Sequence, residues 1–310
     1  MSNFLDYNPL YLFNKDFFAK IMLKTAILKE FNLQIKVAGE IEFYVTPHLS
    51  DSEENEFLAK LLFNLTAQNI KIWNIQKEVA PSQYEVALQP TEPEIAITQI
   101  IKLKEVIQHT LVSLNSRHST FTALFKAKPY ENLPGSGLHI HIGVNDKECN
   151  SALGRPGDFG NREDESELMK NLIGGLCETM LPNFAIFAPD EDSYKRFEFP
   201  KNKIADSSIN PLATYNNVPM NVSWGGNNRT TAIRIPVSTY DETQRHIEHR
   251  VAGADANPEH VINAILEGIY YGLKHKPTPP PKIYGNAFDE QYNFLKPFPR
   301  TLSDAKKLNP

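Results

Sequence analysis

Imidazole and apolar side chains alternate in the segment GSGLHIHIGV, residues 135–144. On a β-strand, His139 and His141 would point to one face, and the leucine and isoleucines around them to the other. Two imidazoles on one face, directly after a glycine-rich turn, indicate either a solvated sheet face or a cavity lined with nitrogen donors.

Acidic and basic side chains alternate with apolar ones in four further segments. These segments are VAGEIEFYV with Glu40 and Glu42, EVAPSQYEV with Glu78 and Glu85, RHIEHRV with His246, Glu248 and Arg250, and NRTTAIRIPV with Arg229 and Arg234. Any one of them alone is typical of a half-solvated antiparallel sheet. Together they favour a sheet around a cavity, because a solvated face would carry more Lys, Thr, Ser and Gln.

The ionisable residue types indicate metal and phosphate chemistry. Carboxylates with one or two imidazoles and no thiolate favour Mg²⁺ or Mn²⁺ over zinc. Arginines bind phosphate or carboxylate groups bidentately, and phosphoryl transfer requires both cations and arginines around the transferred group. The sequence contains no P-loop, so a nucleotide would bind by another device. The residues alone predict a divalent-metal enzyme that acts on phosphates, with a carboxylate substrate as a further option.

Composition excludes several functional classes. The chain has 310 residues, of which 41% are hydrophobic and 22% charged, as in ordinary globular proteins. The net charge of −5 and the scattered basic residues predict no nucleic-acid partner. We expect neither a membrane span nor a signal peptide, because no segment has the required apolar pattern. Two cysteines without metal-binding spacing favour a cytoplasmic location.

Helices and strands are interspersed along the chain, which predicts an α+β or α/β fold. Helical patterns occur at residues 14–31, 52–68, 93–116, 165–187 and from 258 onward. Strand patterns occur at 34–45, on both sides of the turn at 81–82, and at 121–127, 138–144, 220–225, 230–237 and 245–251. Residues 146–162 and 201–217 are predicted loops. We expect the core to extend over about residues 8–285 and to end near the proline run at 277–281. Residues 286–310 are expected to be a polar tail.

Seven motifs, in this order, resemble the catalytic domain of the glutamine synthetase family: GEIEFYV, EVAPSQYEVALQPTEP, AKP, GSGLHIHIG, DSYKRF, NNRTTAIRIP and HIEHRVAGADANPEH. The resemblance extends over about residues 8–305. It implies an α+β fold in which a curved antiparallel sheet lines the active site and helices pack outside. It also implies that residues 1–310 form a single catalytic domain.

The resemblance assigns roles position by position. It implies a Mg²⁺ or Mn²⁺ site near the amino-acid substrate, with the ligands Glu42, Glu78 and Glu85. It implies a second site, bridging the ATP phosphates, with the ligands Glu40, His139 and Glu248. The positions that correspond to glutamate-binding residues are Gly135, Arg196 and Arg250. The positions that correspond to groups around the ATP phosphates and the transferred phosphoryl are His141, Arg229 and Arg234.

The implied activity is that of an ATP-dependent ligase. ATP would phosphorylate the γ-carboxylate of glutamate, and an amine would displace phosphate from the resulting acyl phosphate. The implied substrates are glutamate, ATP and an amine. The family's N-terminal β-grasp domain is not found in this sequence. The implied protein partners are therefore further copies of the chain in a homo-oligomer, or another chain that supplies this domain.

Besides the N-terminal domain, we expect the family's C-terminal end to be lacking, because the family pattern continues past RTLSDAKKL and this sequence stops at Pro310. Two further departures from the family pattern bear on function. Asn217 stands where the ammonia-using enzymes carry a flap glutamate, and an amide cannot act as a base. The motif WGGNNRT likewise resembles the branch that joins glutamate to larger amines. His246 stands where an arginine is usual. Two functions therefore stay open: a ligase that uses ammonia or another amine, or a catalytically impaired metal- and nucleotide-binding or regulatory protein.

Overall fold

The computed structural model describes residues 31–115, 120–146, 151–153, 165–198, 217–237 and 245–308. The helix predicted at 14–31 therefore lies outside the described residues except at its last position. The same holds for most of the two predicted loops, 146–162 and 201–217.

Sixteen helical and extended elements follow one another in the described residues. The strands are β1 (Gln34–Thr46), β2 (Ile72–Lys77), β3 (Gln83–Leu88), β4 (Thr122–Leu124), β5 (Leu138–Asn145), β6 (Trp224–Gly225), β7 (Ile233–Arg234) and β8 (Ile247–His249). The α-helices are α1 (Asp51–Ala67), α2 (Pro93–Val112), α3 (Glu167–Met180), α4 (Phe184–Phe187), α5 (Pro258–His275) and α6 (Leu302–Lys307). Two short 3₁₀ helices are Glu191–Phe197 and Glu290–Tyr292.

The strands form one sheet in the order β2-β3-β1-β5-β8-β7-β6, with β4 paired to β1. All pairs are antiparallel except β6 with β7. The predicted α+β class with a largely antiparallel sheet is therefore confirmed. The strand predicted just before the turn at 81–82 ends earlier than expected. It ends at Lys77, so Glu78 lies in the connection between β2 and β3.

The alternation in β1 separates a core face from a cavity face. Ile41 and Phe43 have no exposed surface, whereas Glu40 and Glu42, which alternate with them, are partly exposed. Helices α1 and α2 cover the core face with apolar side chains that include Phe57, Leu61, Ile100 and Ile107. Helix α1 begins at a capping box in which Ser50 and Glu53 satisfy each other's backbone N–H groups.

Helices α3 and α5 cross at glycines. A Cβ atom on Gly175 would lie 2.3 Å from the carbonyl oxygen of Gly268, so only glycine allows this approach. The helix predicted over 165–187 is interrupted at 181–183, because Pro182 lacks the N–H that would continue the ladder. Helix α5 begins as predicted, with Asn257 as the N-cap and Pro258 in the first turn. None of the helices in the described part of the chain is long and apolar enough to cross a membrane.

The segment after residue 282 is not a polar tail, and that expectation was wrong for residues 286–308. Phe298 is 6% exposed, and its ring lies 4.7 Å from that of Phe184 and 5.5 Å from that of Phe197. Ala305 in α6 is fully buried in the same core. The apolar residues are too widely spaced for a periodic pattern, which is why the sequence did not indicate their burial. That residues 1–310 form a single domain stays a prediction.

Candidate active site

His139 lies at the centre of the cavity face because β5 pairs with β1 and β8. It stands opposite Glu40 in the register, and its Nδ1 lies 3.2 Å from Glu40 Oε1 and 3.6 Å from Glu248 Oε1. These three residues offer ligand atoms that all lie within 4.8 Å of one another. They are the set that the resemblance assigned to one metal ion.

A second set of three donors shares the same imidazole. Glu42 and Glu85 face each other in the β1–β3 register, and with His139 they again bring ligand atoms within 4.8 Å. Glu78, which the resemblance placed with Glu42 and Glu85, is not in this group. It lies in the β2–β3 connection, where Gln76 Nε2 donates to it over 3.4 Å, and it lines the same cavity.

The electrostatics of these carboxylates fit a divalent cation. Burial raises the pKa of Glu85 well above its ordinary range, and neighbouring Glu40 and Glu42 act in the same direction. Burial also raises the pKa of Glu78, with Glu42 as the next cause. Crowded carboxylates repel one another until a cation or protons neutralise them. Oxygen donors with one imidazole form the ligand set expected for Mg²⁺ or Mn²⁺.

Glu248 has no exposed surface and is held by two arginines. Arg234 Nη1 donates to its Oε2 over 2.7 Å, and Arg250 Nη1 donates to its Oε1. Burial opposes its charge, but Arg250, His141, His139 and Arg234 outweigh burial and lower the pKa of Glu248 to about 2. Glu248 is therefore a carboxylate at neutral pH and available as a ligand.

A small cavity of about 50 Å³ lies on one side of the donors. Of the predicted substrate-site residues it is lined by Gly135, Arg196, Arg250, Asn217 and Arg229, together with Glu42, Glu78, Glu85 and His139. The guanidinium of Arg196 is buried beneath backbone carbonyls, with Nη1 donating to Val251 O over 2.7 Å, and burial lowers its pKa to about 10. Asn217 contributes its backbone carbonyl, which accepts a hydrogen bond of 2.9 Å from Arg250 Nη2.

Gly135 lets the loop before β5 approach Arg196. A Cβ on this residue would lie 2.5 Å from Ala127 O and 2.8 Å from Arg196 Cγ. Gln83 is a residue of this cavity that the sequence did not single out. It is 2% exposed, and its amide donates to Gly135 O over 3.0 Å and to Ser136 Oγ over 3.2 Å. Its position between Glu78 and Glu85 was the one available signal.

A larger cavity of about 370 Å³ lies on the other side of Glu40. His141 and Arg234 line it, whereas Arg229 lines the small cavity, so the two arginines that the resemblance grouped line different cavities. His141 Nε2 lies 3.0 Å from Glu40 Oε2, and its ring packs against that of His246 at an interplanar angle of 53°, with centroids 5.0 Å apart. Burial acts to lower the pKa of His141, but hydrogen bonding to Glu40 and the charge of Glu248 raise it. Trp73 and Lys36 also line this cavity and were not predicted.

The fold and the site together define a class of protein. It is an α+β protein that carries two sets of metal-ligand donors, with one imidazole in common, beside two cavities. The sequence model described as the glutamine synthetase catalytic domain matches residues 44–308. The chain therefore belongs to the glutamine synthetase family, as the order of its motifs predicted.

Known relatives in this family resemble the chain at low to moderate identity. It is 34% identical over 229 residues to gamma-glutamylputrescine synthetase PuuA of Escherichia coli K12, covering 74% of this chain and 42% of that protein. It is 27% identical over 257 residues to glutamate–isopropylamine ligase of a Pseudomonas species, with 83% and 50% covered. Glutamine synthetase of Pyrococcus abyssi is 28% identical over 217 residues, with 69% and 42% covered. The chain thus spans about half or less of the length of these relatives.

Solved structures share the fold. A structure described as a GmaS/ADP complex superposes with a TM-score of 0.76 at 19% identity, covering 94% of this chain and 66% of the other. A glutamine synthase homologue superposes with a TM-score of 0.73 at 20% identity, covering 94% and 64%. Both support the same antiparallel architecture.

Proposed function

We propose that this protein is an ATP-dependent ligase that joins an amine to the γ-carboxylate of glutamate through a γ-glutamyl phosphate. The observation that carries the proposal is that His139 is shared by two carboxylate donor sets that together border both cavities: His139, Glu42 and Glu85 line the small cavity, and Glu40 lines the large one. A reaction that transfers a phosphoryl group from one substrate to another needs both substrates to meet at such a boundary.

Two divalent cations would be held by the donors. Glu40, His139 and Glu248 would hold one ion, and Glu42 and Glu85 with the nearby Glu78 would hold the other. Such ions, Mg²⁺ or Mn²⁺, supply charge neutralisation and orientation for the phosphate and carboxylate oxygens.

The residues of the small cavity suit glutamate. Arg196 and Arg250 both line it, and two guanidinium groups provide the positive charge and the N–H donors that bind carboxylates. In the large cavity, His141 and Arg234 would bind the phosphates of ATP. Arg229, which lines the small cavity, would neutralise negative charge on the transferred phosphoryl group from the glutamate side.

The acceptor in this proposal is a primary amine larger than ammonia. The side-chain amide of Asn217 offers no proton-accepting group of useful basicity. PuuA and the isopropylamine ligase are named for amine acceptors of this kind, which supports the choice. That a further copy or a partner chain contributes to the site, and that the protein is cytoplasmic, stay predictions.

The test is phosphate release from ATP and Mg²⁺ with glutamate and a panel of amines, including ammonium, putrescine and short alkylamines. We expect release that requires both glutamate and an alkylamine, with product mass equal to the γ-glutamyl amide. ATP binding without amine-dependent release under any of these conditions would contradict the ligase. It would instead favour the second candidate, a metal- and nucleotide-binding protein without turnover.

A further inference from the structure

The larger cavity is lined by an exposed tryptophan, Trp73, and phosphate binding gives this side chain no role. Trp73 lies on the edge strand β2 and is 65% exposed, although it is one of only two tryptophans in the chain. Burial of an indole contributes more than burial of most side chains, so an indole left open over a cavity offers unused binding surface.

A β-bulge accounts for the orientation of this side chain. In the pairing of β2 with β3, Ile72 stands opposite Leu88 and Asn74 opposite Ala87, so Trp73 between them has no partner residue of its own. A bulge of this kind turns a side chain away from the regular alternation and is frequent beside functional sites. Here it allows Trp73 to line the cavity.

The cavity changes character across the sheet. On the β2–β3–β1 side the lining is mainly small or apolar, and its members are Trp73, Ala87, Leu88, Pro90, Ala38 and Gly39. On the β5–β8–β7 side it is mainly polar or charged, with His141, Asn145, Arg234, Arg245 and His246. The two charged groups on the apolar side are both paired, Lys36 with Glu92 over 2.7 Å and Glu40 with His141 over 3.0 Å. One side therefore suits phosphates, and the other suits a flat, uncharged ring.

We propose that Trp73 stacks on the base of the bound nucleotide and makes the protein prefer purine over pyrimidine nucleoside triphosphates. A purine offers the larger π-surface to the indole, and stacking on an aromatic side chain depends on that surface rather than on hydrogen-bonding pattern. This inference rests on the proposed function, because it assumes that a nucleoside triphosphate occupies the larger cavity.

Calorimetry on the otherwise unaltered chain tests it, with the Mg²⁺ complexes of ATP, CTP and inorganic tripolyphosphate as ligands. We expect Trp73→Ala to weaken ATP binding about tenfold or more. The same substitution should lower the ratio of ATP to CTP affinity and leave tripolyphosphate binding unchanged, and Trp73→Phe should retain most of the ATP affinity. The matched control is Phe63→Ala, because Phe63 is 73% exposed on α1 and does not line the cavity; it should change none of these constants.

Fluorescence supplies an independent readout. Trp224 is 4% exposed and donates its indole N–H to Pro280 O, so Trp224→Phe leaves Trp73 as the sole indole. In that variant, ATP should quench the emission and tripolyphosphate should not.

The outcomes separate the two proposals. Unchanged ATP affinity in Trp73→Ala, with amine-dependent phosphate release intact, would overturn base stacking alone. Absence of ATP binding to the unaltered protein would overturn both the stacking and the ligase.

Discussion

At the scale of single residues, His139 is the side chain on which both donor sets depend. Its Nδ1 faces Glu40 and Glu248, and its Nε2 lies 3.9 Å from Glu42 Oε1. No other residue in the described part of the chain belongs to both sets. Its loss would therefore affect both cation positions together.

We expect His139→Asn to weaken Mn²⁺ binding about 100-fold or more, since even residues that only support metal ligands contribute about 10- to 100-fold. The measurement is a calorimetric or electron paramagnetic resonance titration of Mn²⁺. The control is His109→Asn, an exposed histidine on α2 that lies outside both donor sets. Equal Mn²⁺ affinity in the His139 variant and the control would contradict the assignment.

How far the sequence predicted the site depends on the kind of residue. The strand alternation placed Glu40, Glu42 and His139 on one face because it depends only on local geometry. Glu78 lies in a connection, and alternation says nothing about distances there. Trp73 was missed because a bulge arises from the pairing of two strands, not from the sequence of one. The buried position of Arg196 depends on carbonyl groups more than fifty residues away.

At the scale of elements, the part-buried amine of Lys104 links helix α2 to the loop that follows β8. Lys104 Nζ donates to Ala254 O over 2.7 Å, and the N–H of Ala254 donates to Ser136 O in the loop before β5. Burial lowers the pKa of Lys104 to about 8, with Asp255 acting in the opposite direction. A core helix is thereby linked to the loop that carries Gly135.

The ionisation of Lys104 should be visible in the pH dependence of the free energy of unfolding. The unfolded chain keeps the proton of Lys104 up to its ordinary pKa of 10.5, whereas the folded protein releases it at about 8. The unfolded state thus binds more protons between these values, and stability increases with pH there. Relative to Lys104→Met, the unaltered protein should gain about 3 kcal/mol in free energy of unfolding from pH 8 to pH 10.5. Urea denaturation at several pH values measures this, and a constant difference would refute it.

The crossing of α3 and α5 gives a second prediction at this scale. Alanine normally stabilises a helix relative to glycine by about 1 kcal/mol. At Gly175, however, the added methyl group would lie 2.5 Å from Gly272 N as well as close to Gly268 O. Gly175→Ala should therefore be destabilising by about 1–3 kcal/mol overall in urea denaturation. The comparison is Gly226→Ala, whose methyl group would meet no atom nearer than 4.0 Å and should have little effect.

At the scale of the whole molecule, the C-terminal segment is part of the core. Phe298 packs between Phe184 and Phe197, and Phe197 follows the substrate-site candidate Arg196. Phe298→Ala should lower the free energy of unfolding by about 3–5 kcal/mol, as expected for a buried aromatic ring. Phe294→Ala, at a position that is 59% exposed, should change it by less than about 0.5 kcal/mol. Similar urea midpoints for the two variants would contradict this account.

The overall class and most helix positions were predictable because periodicity and capping are local. The packing of residues 286–308 was not predictable. Their apolar side chains are isolated in the sequence, and they are buried by partners that lie far away along the chain. The single aromatic ring of Phe298 shows this: nothing beside it in the sequence distinguishes it from the exposed Phe294.

The two edges of the sheet differ. Backbone groups of residues 220–225 bond to residues 283, 296 and 298, so the β6 edge is covered by the chain's own end. In the ranges that the structure describes, β2 pairs only with β3. Uncontrolled fibre growth by edge-to-edge addition requires two open edges per molecule, one to accept and one to offer. Within the part of the chain that the structure describes, β2 is the edge left for such pairing, so edge-to-edge addition through β2 would end at two molecules.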